Sequence, residues 1–196
     1  VKIRGVKTML WHAFGPESIP IDSKTERAGV PGNNPEEWRN TVLANEEGQL
    51  YVRPDYVFST LKNGAQHTKR GLLKLVAATL QIEDEIILID RWFPGYPNGH
   101  EFDPKTAPTP PINAYKLPVY LDVRSVVNPS TKGRNIRYRV AAMTGWQTEF
   151  TIYWDKTIVN RDLMHSVAID AGNLVGLNNG RAIGLGRFEV LLFDVL

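Results

Sequence analysis

The chain has 196 residues, 42% hydrophobic and 22% charged, a composition that suits one globular domain with a substantial core rather than two. Five Trp, seven Tyr and seven Phe supply enough apolar area to offset chain entropy, which excludes disorder as the default state. No apolar run approaches the ~20 residues of a membrane span, VKIRGVKTML is too polar for a signal peptide, and without cysteine there is no disulfide framework or thiolate, so a reducing cytoplasm is the expected setting.

Val1 to Leu10 reads as a strand, followed by a Gly- and Pro-rich loop from Gly15 to Pro35. Thr41–Ala44 and Leu50–Val52 flank Asn45-Glu46-Glu47-Gly48 as a short hairpin turn. Pro54 suits a first helical position, and Val57, Phe58, Leu61 and Ala65 recur at helical spacing, which predicts a helix from Pro54 to Gln66. Leu72 to Asp90 is ambiguous at its start and extended later. Trp92 to Pro118 is so dense in proline that it predicts an exposed arm rather than central strands. Tyr120–Val127 and Asn135–Ala142 read as strands around a turn at Asn128-Pro129-Ser130. In the second, Ile136, Tyr138, Val140 and Ala142 alternate with Asn135, Arg137, Arg139 and Ala141, which puts both arginines opposite the apolar set. Trp146, Thr148, Phe150, Ile152 and Trp154 share one face of the next strand. Asn160 is a candidate N-cap, and Leu163, Val167, Ala171 and Leu174 form the stripe of a second helix ending near Gly172–Gly176. Phe188, Val190 and Leu192 alternate in a last strand. The order strand, helix, strand, strand, helix, strand predicts an α+β fold of ferredoxin-like or RNA-recognition-motif type over residues 1–196, with insertions.

The net charge of +2, from 23 basic and 21 acidic residues, says little about partners, but its distribution is uneven. Tyr56–Ile82 holds no acid and carries Lys62, His67, Lys69, Arg70 and Lys74. Val123–Thr148 holds none and carries Arg124, Lys132, Arg134, Arg137 and Arg139. Ala171–Phe188 holds none and carries Arg181 and Arg187. Segregated basic segments in a nearly neutral chain point to one positive face for a polyanion, against the plainer alternative of separate solvated surfaces.

Within the last segment, Gly172, Gly176, Gly180, Gly184 and Gly186 follow a helix and precede a strand. Dinucleotide binding needs the reverse order, and a phosphate-loop NTPase needs a Gly-Lys-Ser/Thr that is absent, so no cofactor is expected. Glycines here can bring backbone N–H groups close to phosphates while Arg181 and Arg187 neutralise them. Leu174 to Val190 resembles the C-terminal glycine-rich loop of the RAMP superfamily of CRISPR proteins. Leu50-Tyr-Val-Arg-Pro54 through Leu61-Lys-Asn-Gly-Ala65 resembles that superfamily's strand-to-helix segment.

Among its branches, the backbone subunits that polymerise along a guide RNA fit best. The resemblance implies an RNA-binding, self-assembling component of an antiviral ribonucleoprotein. Its partners would be guide RNA, further copies of itself and other effector subunits, with no membrane. It also implies a palm with an inserted thumb-like hairpin, for which 92–118 is the candidate. The residues assigned to RNA on this reading are Lys62, Lys69, Arg70, Arg134, Arg137, Arg139, Gly180, Arg181, Gly184, Gly186 and Arg187, with Trp92, Phe93 and Tyr96 as stacking candidates. The enzyme alternative is a guide-processing endoribonuclease with His12 or His67 as general base or acid. His100 and His165 are the remaining histidines. Asp22 is the loop acid that a metal-dependent cleavage of target RNA would use. A third alternative is a protein-only assembly subunit docking through the proline arm.

Overall fold

The computed structural model describes residues 1–13, 37–93, 117–127 and 132–195. The fold is α+β. Its strands are β1 (Lys2–Gly5), β2 (Met9–Leu10), β3 (Gln49–Val52), β4 (Gln81–Ile82), β5 (Ile87–Trp92), β6 (Val119–Val127), β7 (Arg134–Ala142), β8 (Gln147–Glu149), β9 (Ile152–Tyr153) and β10 (Phe188–Leu192). The helices are α1 (Pro54–Thr68), α2 (Leu72–Thr79) and α3 (Arg161–Asp170). A five-stranded antiparallel sheet runs β10-β1-β8-β5-β3, a second sheet runs β2-β7-β6, and β4 pairs with β9. Among the described residues no helix is long and apolar enough to cross a membrane.

Alternation along each strand decides what the large sheet buries. Ile3 lies beside both Val190 and Thr148, and Thr148 beside Ile89, so these residues share one face. α1 covers that face with Val57, Leu61 and Ala65, and α3 adds Met164 and Val167 to the same core. Gly64 permits the close approach of α1 to the end of α3, since a Cβ there would lie 2.6 Å from the Ala171 Cβ. The helix starts are local: Pro54 occupies the first turn of α1, and the Asn160 side chain accepts the Leu163 N–H at 2.9 Å to cap α3. Gly71, at φ 83°, separates α1 from α2.

Several expectations change, and the one strand expected over Trp146–Trp154 is two, β8 and β9, in different sheets. Val1–Leu10 is two strands in different sheets, because the Val6 and Lys7 N–H groups both donate to the Arg187 carbonyl and turn the chain. The start of Leu72–Asp90 is helical, as α2 buries Leu72 and Val76 one turn apart. The Leu163–Val167–Ala171 stripe does not extend to Leu174, which is exposed. Residues Ala171–Val175 form a π turn closed by the Gly176 N–H on the Ala171 carbonyl, and the extra residue rotates Leu174 out of register. On β7 Arg137 and Arg139 do share the face opposite the apolar set, but that alternation does not sort buried from exposed: Arg139 is buried and Ile136 is exposed. The half of β7 joined to β2 is enclosed on both faces, whereas the half near the hairpin tip is open on the face of Arg134 and Ile136 and buries Asn135 on the other.

Of the proposed arm at 92–118, residues 94–116 lie outside the described residues, as do Tyr96, His100, Asp22 and the 128–130 turn. Trp92 ends β5 and is exposed, while Phe93 stacks on Trp38 at 5.4 Å between ring centroids.

Candidate anion site at the glycine loop

The segment after β2 is threaded between two elements. The Trp11 N–H donates to the Val140 carbonyl on β7, the Ala13 N–H donates to the Thr41 carbonyl, and the buried Trp11 indole donates to Tyr51 O at 2.8 Å. Trp11 is fully buried, which leaves His12, its neighbour, half-buried on the other side of the chain. The glycine loop is anchored beside it. Asn179 bridges to Leu10, its N–H donating to the Leu10 carbonyl at 3.1 Å, and the Gly186 N–H donates to the Thr8 carbonyl at 2.8 Å. From the helix side, the Thr60 hydroxyl donates to the Gly176 carbonyl at 3.0 Å. These bonds bring residues from four separate stretches of chain to one place.

They enclose a cavity of about 170 Å³ lined by His12, Tyr56, Ser59, Asn178, Asn179 and Arg181. Among the described residues no carboxylate lines it. Arg139, 6% exposed, donates from Nη1 to the Asn179 Oδ1 at 2.5 Å and so fixes that amide. Arg137 lies two residues away on the same face of β7, and both arginines act on His12. Burial first, and then the positive charges of Arg137 and Arg139, push the His12 imidazolium down to about 4, so the ring is neutral at physiological pH. Burial raises the Tyr56 phenol, against the opposing pull of Arg53, and keeps it a donor. Asn178 is 9% exposed, adopts φ 66°, and its Nδ2 is buried with no hydrogen-bond partner among the described residues. A buried donor left unmade costs on the order of 1–3 kcal/mol. Among the described residues the site is thus a concavity lined by hydrogen-bond donors and by no carboxylate, with Arg137, Arg139 and Arg181 around it.

Its titration has a measurable consequence. The unfolded chain binds a proton at His12 near the ordinary value of 6.5, while the folded chain resists it down to about 4. Stability is therefore full above pH about 6.5 and falls progressively toward 4, by about 1–2 kcal/mol once partial exposure is discounted for solvent screening. Among the described residues, the charged and titratable groups beside the ring are Arg137 and Arg139 on β7, Arg181 on the loop and Tyr56 on α1. Urea midpoints at pH 7 and pH 4.5 should show His12→Gln losing less stability on acidification than the parent. Equal losses would refute the assignment.

The sequence-selected residues divide in two. His12, Arg137, Arg139 and Arg181 come together. Lys62 sits one turn beyond Ser59 with its ammonium 5.9 Å from the Phe58 ring centroid, on the rim side of α1. Lys69 and Arg70 are exposed at the far end of α1, about 15 Å along the helix from Ser59. His67 is exposed there too, outside the cavity. Arg134 is exposed toward the tip of the β6–β7 hairpin, about 17 Å along the strand from Arg139. Arg124 is taken up by Asp122. Arg187 does not line the cavity.

The glycines act mainly on their own chain. At Gly186 a Cβ would lie 1.9 Å from the Leu177 carbonyl oxygen, and Gly180 and Gly184 cap the short 3-10 turn Arg181–Ile183 with φ 82° and 80°. Sequence reasoning missed Tyr56, Ser59, Asn178 and Asn179. The one available signal was Asn-Asn before Gly180, since asparagine is the commonest side-chain-bearing residue at positive φ. Among the described residues no group of three or more His, Asp or Glu could hold a metal ion. No protein-family model and no curated protein matches this chain.

Proposed function

We propose that this protein binds RNA on a ferredoxin-like frame and serves as a self-assembling, RAMP-type subunit that holds a guide RNA, with the cavity at His12 as its main phosphate contact. One observation carries the reading. Arginines from two distant segments, Arg137 and Arg139 on β7 and Arg181 in the glycine loop, converge on a cavity that presents hydrogen-bond donors and, among the described residues, no carboxylate. With β2, β3, α2, β4, β6, β7 and β9 taken as insertions, the order β1-α1-β5-β8-α3-β10 and the spatial order β10-β1-β8-β5 support the ferredoxin-like part, with β3 added at the β5 edge.

The open face of that sheet is a poor platform for bases. Its central strands present Lys2, Arg4, Gln147 and Glu149, Arg4 is paired with Glu189 at 2.7 Å, and no aromatic stands on β1 or β8. RNA contact through phosphates at the loop end of the fold is the arrangement this charge pattern favours. Lys62, Lys69, Arg70, Arg134 and Arg187 then add long-range attraction rather than direct contacts in the cavity. Self-assembly draws support from Val127 and Ile136, which are exposed on the outer half of the hairpin.

The processing-enzyme reading has one observation in its favour, the presence of His12 in the cavity. A histidine titrating near 4 is a weak base at neutral pH and is not the imidazolium that a general acid would need. Binding is therefore the stronger reading.

The test is size-exclusion chromatography with light scattering, joined to extraction of bound nucleic acid and anisotropy titrations with a single-stranded RNA. The parent should carry RNA in a multimer. Arg137→Ala/Arg181→Ala should bind about tenfold or more weakly and lose about one to two units of salt slope. Lys69→Ala/Arg70→Ala should have the smaller effect. A nucleic-acid-free multimer with no affinity for RNA would overturn the proposal, and RNA shortened by the parent but not by His12→Ala would favour the enzyme.

A further inference from the structure

The cavity is small for a track. At about 170 Å³ it holds the volume of roughly five or six waters, well under the ~300 Å³ at which pockets begin to enclose a nucleoside-sized ligand. It can take one anionic head group with a little water, leaving base and sugar outside. Its lining of donors around Arg181 favours a group with more free oxygens and more charge than an internal phosphodiester, which exposes two free oxygens and carries a single charge. Asn178 presents a buried Nδ2 that no described residue satisfies. Asn179 is held through Oδ1 by Arg139, so its NH₂ is the end left for a ligand. Arg181 meets no carboxylate among the described residues, and the Ser59 and Tyr56 hydroxyls complete the lining. A terminal phosphomonoester brings three free oxygens and a charge of about −1.5 to −2 at neutral pH, which matches this donor count and the surrounding arginines.

We infer that the cavity lined by Asn178, Asn179 and Arg181 is a seat for a terminal phosphate, so that the protein grips an end of its RNA rather than an internal stretch. The inference rests on the RNA reading for the identity of the chain behind the phosphate, and on the cavity alone for the phosphate itself.

Three oligoribonucleotides of one sequence separate the possibilities: one with a 5′-phosphate, one with a 3′-phosphate and one with hydroxyls at both ends. Anisotropy titrations at fixed salt should show one phosphorylated end bound about tenfold or more tightly than the hydroxyl-ended strand. Asn178→Asp places a negative charge at the seat while tolerating the same left-handed backbone, and it should abolish the preference between ends. Arg181→Gln is the second variant and makes the same comparison should Asn178→Asp fail to fold. Inorganic phosphate supplies the control without RNA: it should raise the melting temperature of the parent and not of the variants.

Equal binding of all three strands overturns the inference and leaves the RNA reading standing. Stabilisation by phosphate with no affinity for any strand leaves the seat standing for a small phosphomonoester and ends the RNA reading. Absence of both effects overturns the two together.

Discussion

Replacing Trp146 with alanine is expected to destabilise the folded chain by about 3–5 kcal/mol, a large share of the total stability of a domain this size. The indole is fully buried and lies against Gly5, where a Cβ would come within 2.1 Å of the ring atoms Cε2 and Nε1. Its Nε1 donates to the Lys7 carbonyl at 2.9 Å, and the Gly5 N–H donates to the Trp146 carbonyl at 2.7 Å. The ring therefore fills space and also fixes the point where β1 leaves the large sheet and β2 enters the small one. Trp146→Ala leaves a cavity the size of an indole and the Lys7 carbonyl without its donor. Trp146→Phe should cost less, because most of the volume remains. Chemical denaturation monitored by circular dichroism reads both. A loss below about 1.5 kcal/mol for Trp146→Ala would show that this junction relaxes freely. The site should suffer with the fold, since His12 hangs from the segment that follows β2.

The second large effect is expected at Gly186. Alanine there meets two penalties: φ is +69°, where a Cβ is disfavoured by about 1–2 kcal/mol, and the Cβ would stand 1.9 Å from the Leu177 carbonyl oxygen. The obstacle is backbone, so no rotamer change relieves it, and the Leu177 N–H to Gly186 carbonyl bond at 2.8 Å holds the two strands of the loop together. Gly186→Ala should cost more than about 3 kcal/mol or force the loop open, displacing Asn178 and Asn179. Gly184 is the internal control. It has φ +80° and open space around its Cβ position, so Gly184→Ala should cost only about 1–2 kcal/mol and keep RNA affinity. Melting curves and anisotropy on the two variants distinguish a loop whose glycines serve its own packing from one whose glycines touch the ligand. In the second case Gly184→Ala would lose binding with little loss of stability.

Local patterns in the sequence were enough for some elements and not for others. α1 was legible because Pro54, the Val57–Leu61–Ala65 stripe and Gly71 all act within a few residues of one another. The Asn160 cap was legible for the same reason. The break between β1 and β2 was not. Nothing in Val6-Lys7-Thr8 marks a turn, and the bonds that make one come from Arg187 and Trp146, far along the chain. The start of α2 was obscured by Leu72, Leu75 and Val76, whose spacing fits either period over so short a run.

For the site, the chain by itself determined the chemistry available: basic residues segregated from acids, a histidine after the first strand, and a glycine loop carrying two arginines. Tertiary structure alone decided which of these meet. The pairing of β2 with β7 and the bridge from Leu10 to Asn179 set Arg139, His12 and Arg181 around one cavity, while Lys69, Arg70 and Arg134 were left on other ends of the molecule. It also decided that Arg139 is buried against Asn179 and that Asn178 holds an unsatisfied amide. The physical reason is that charge and hydrogen-bonding capacity belong to residue types, whereas burial, field and the number of donors aimed at one point depend on contacts between residues far apart in sequence.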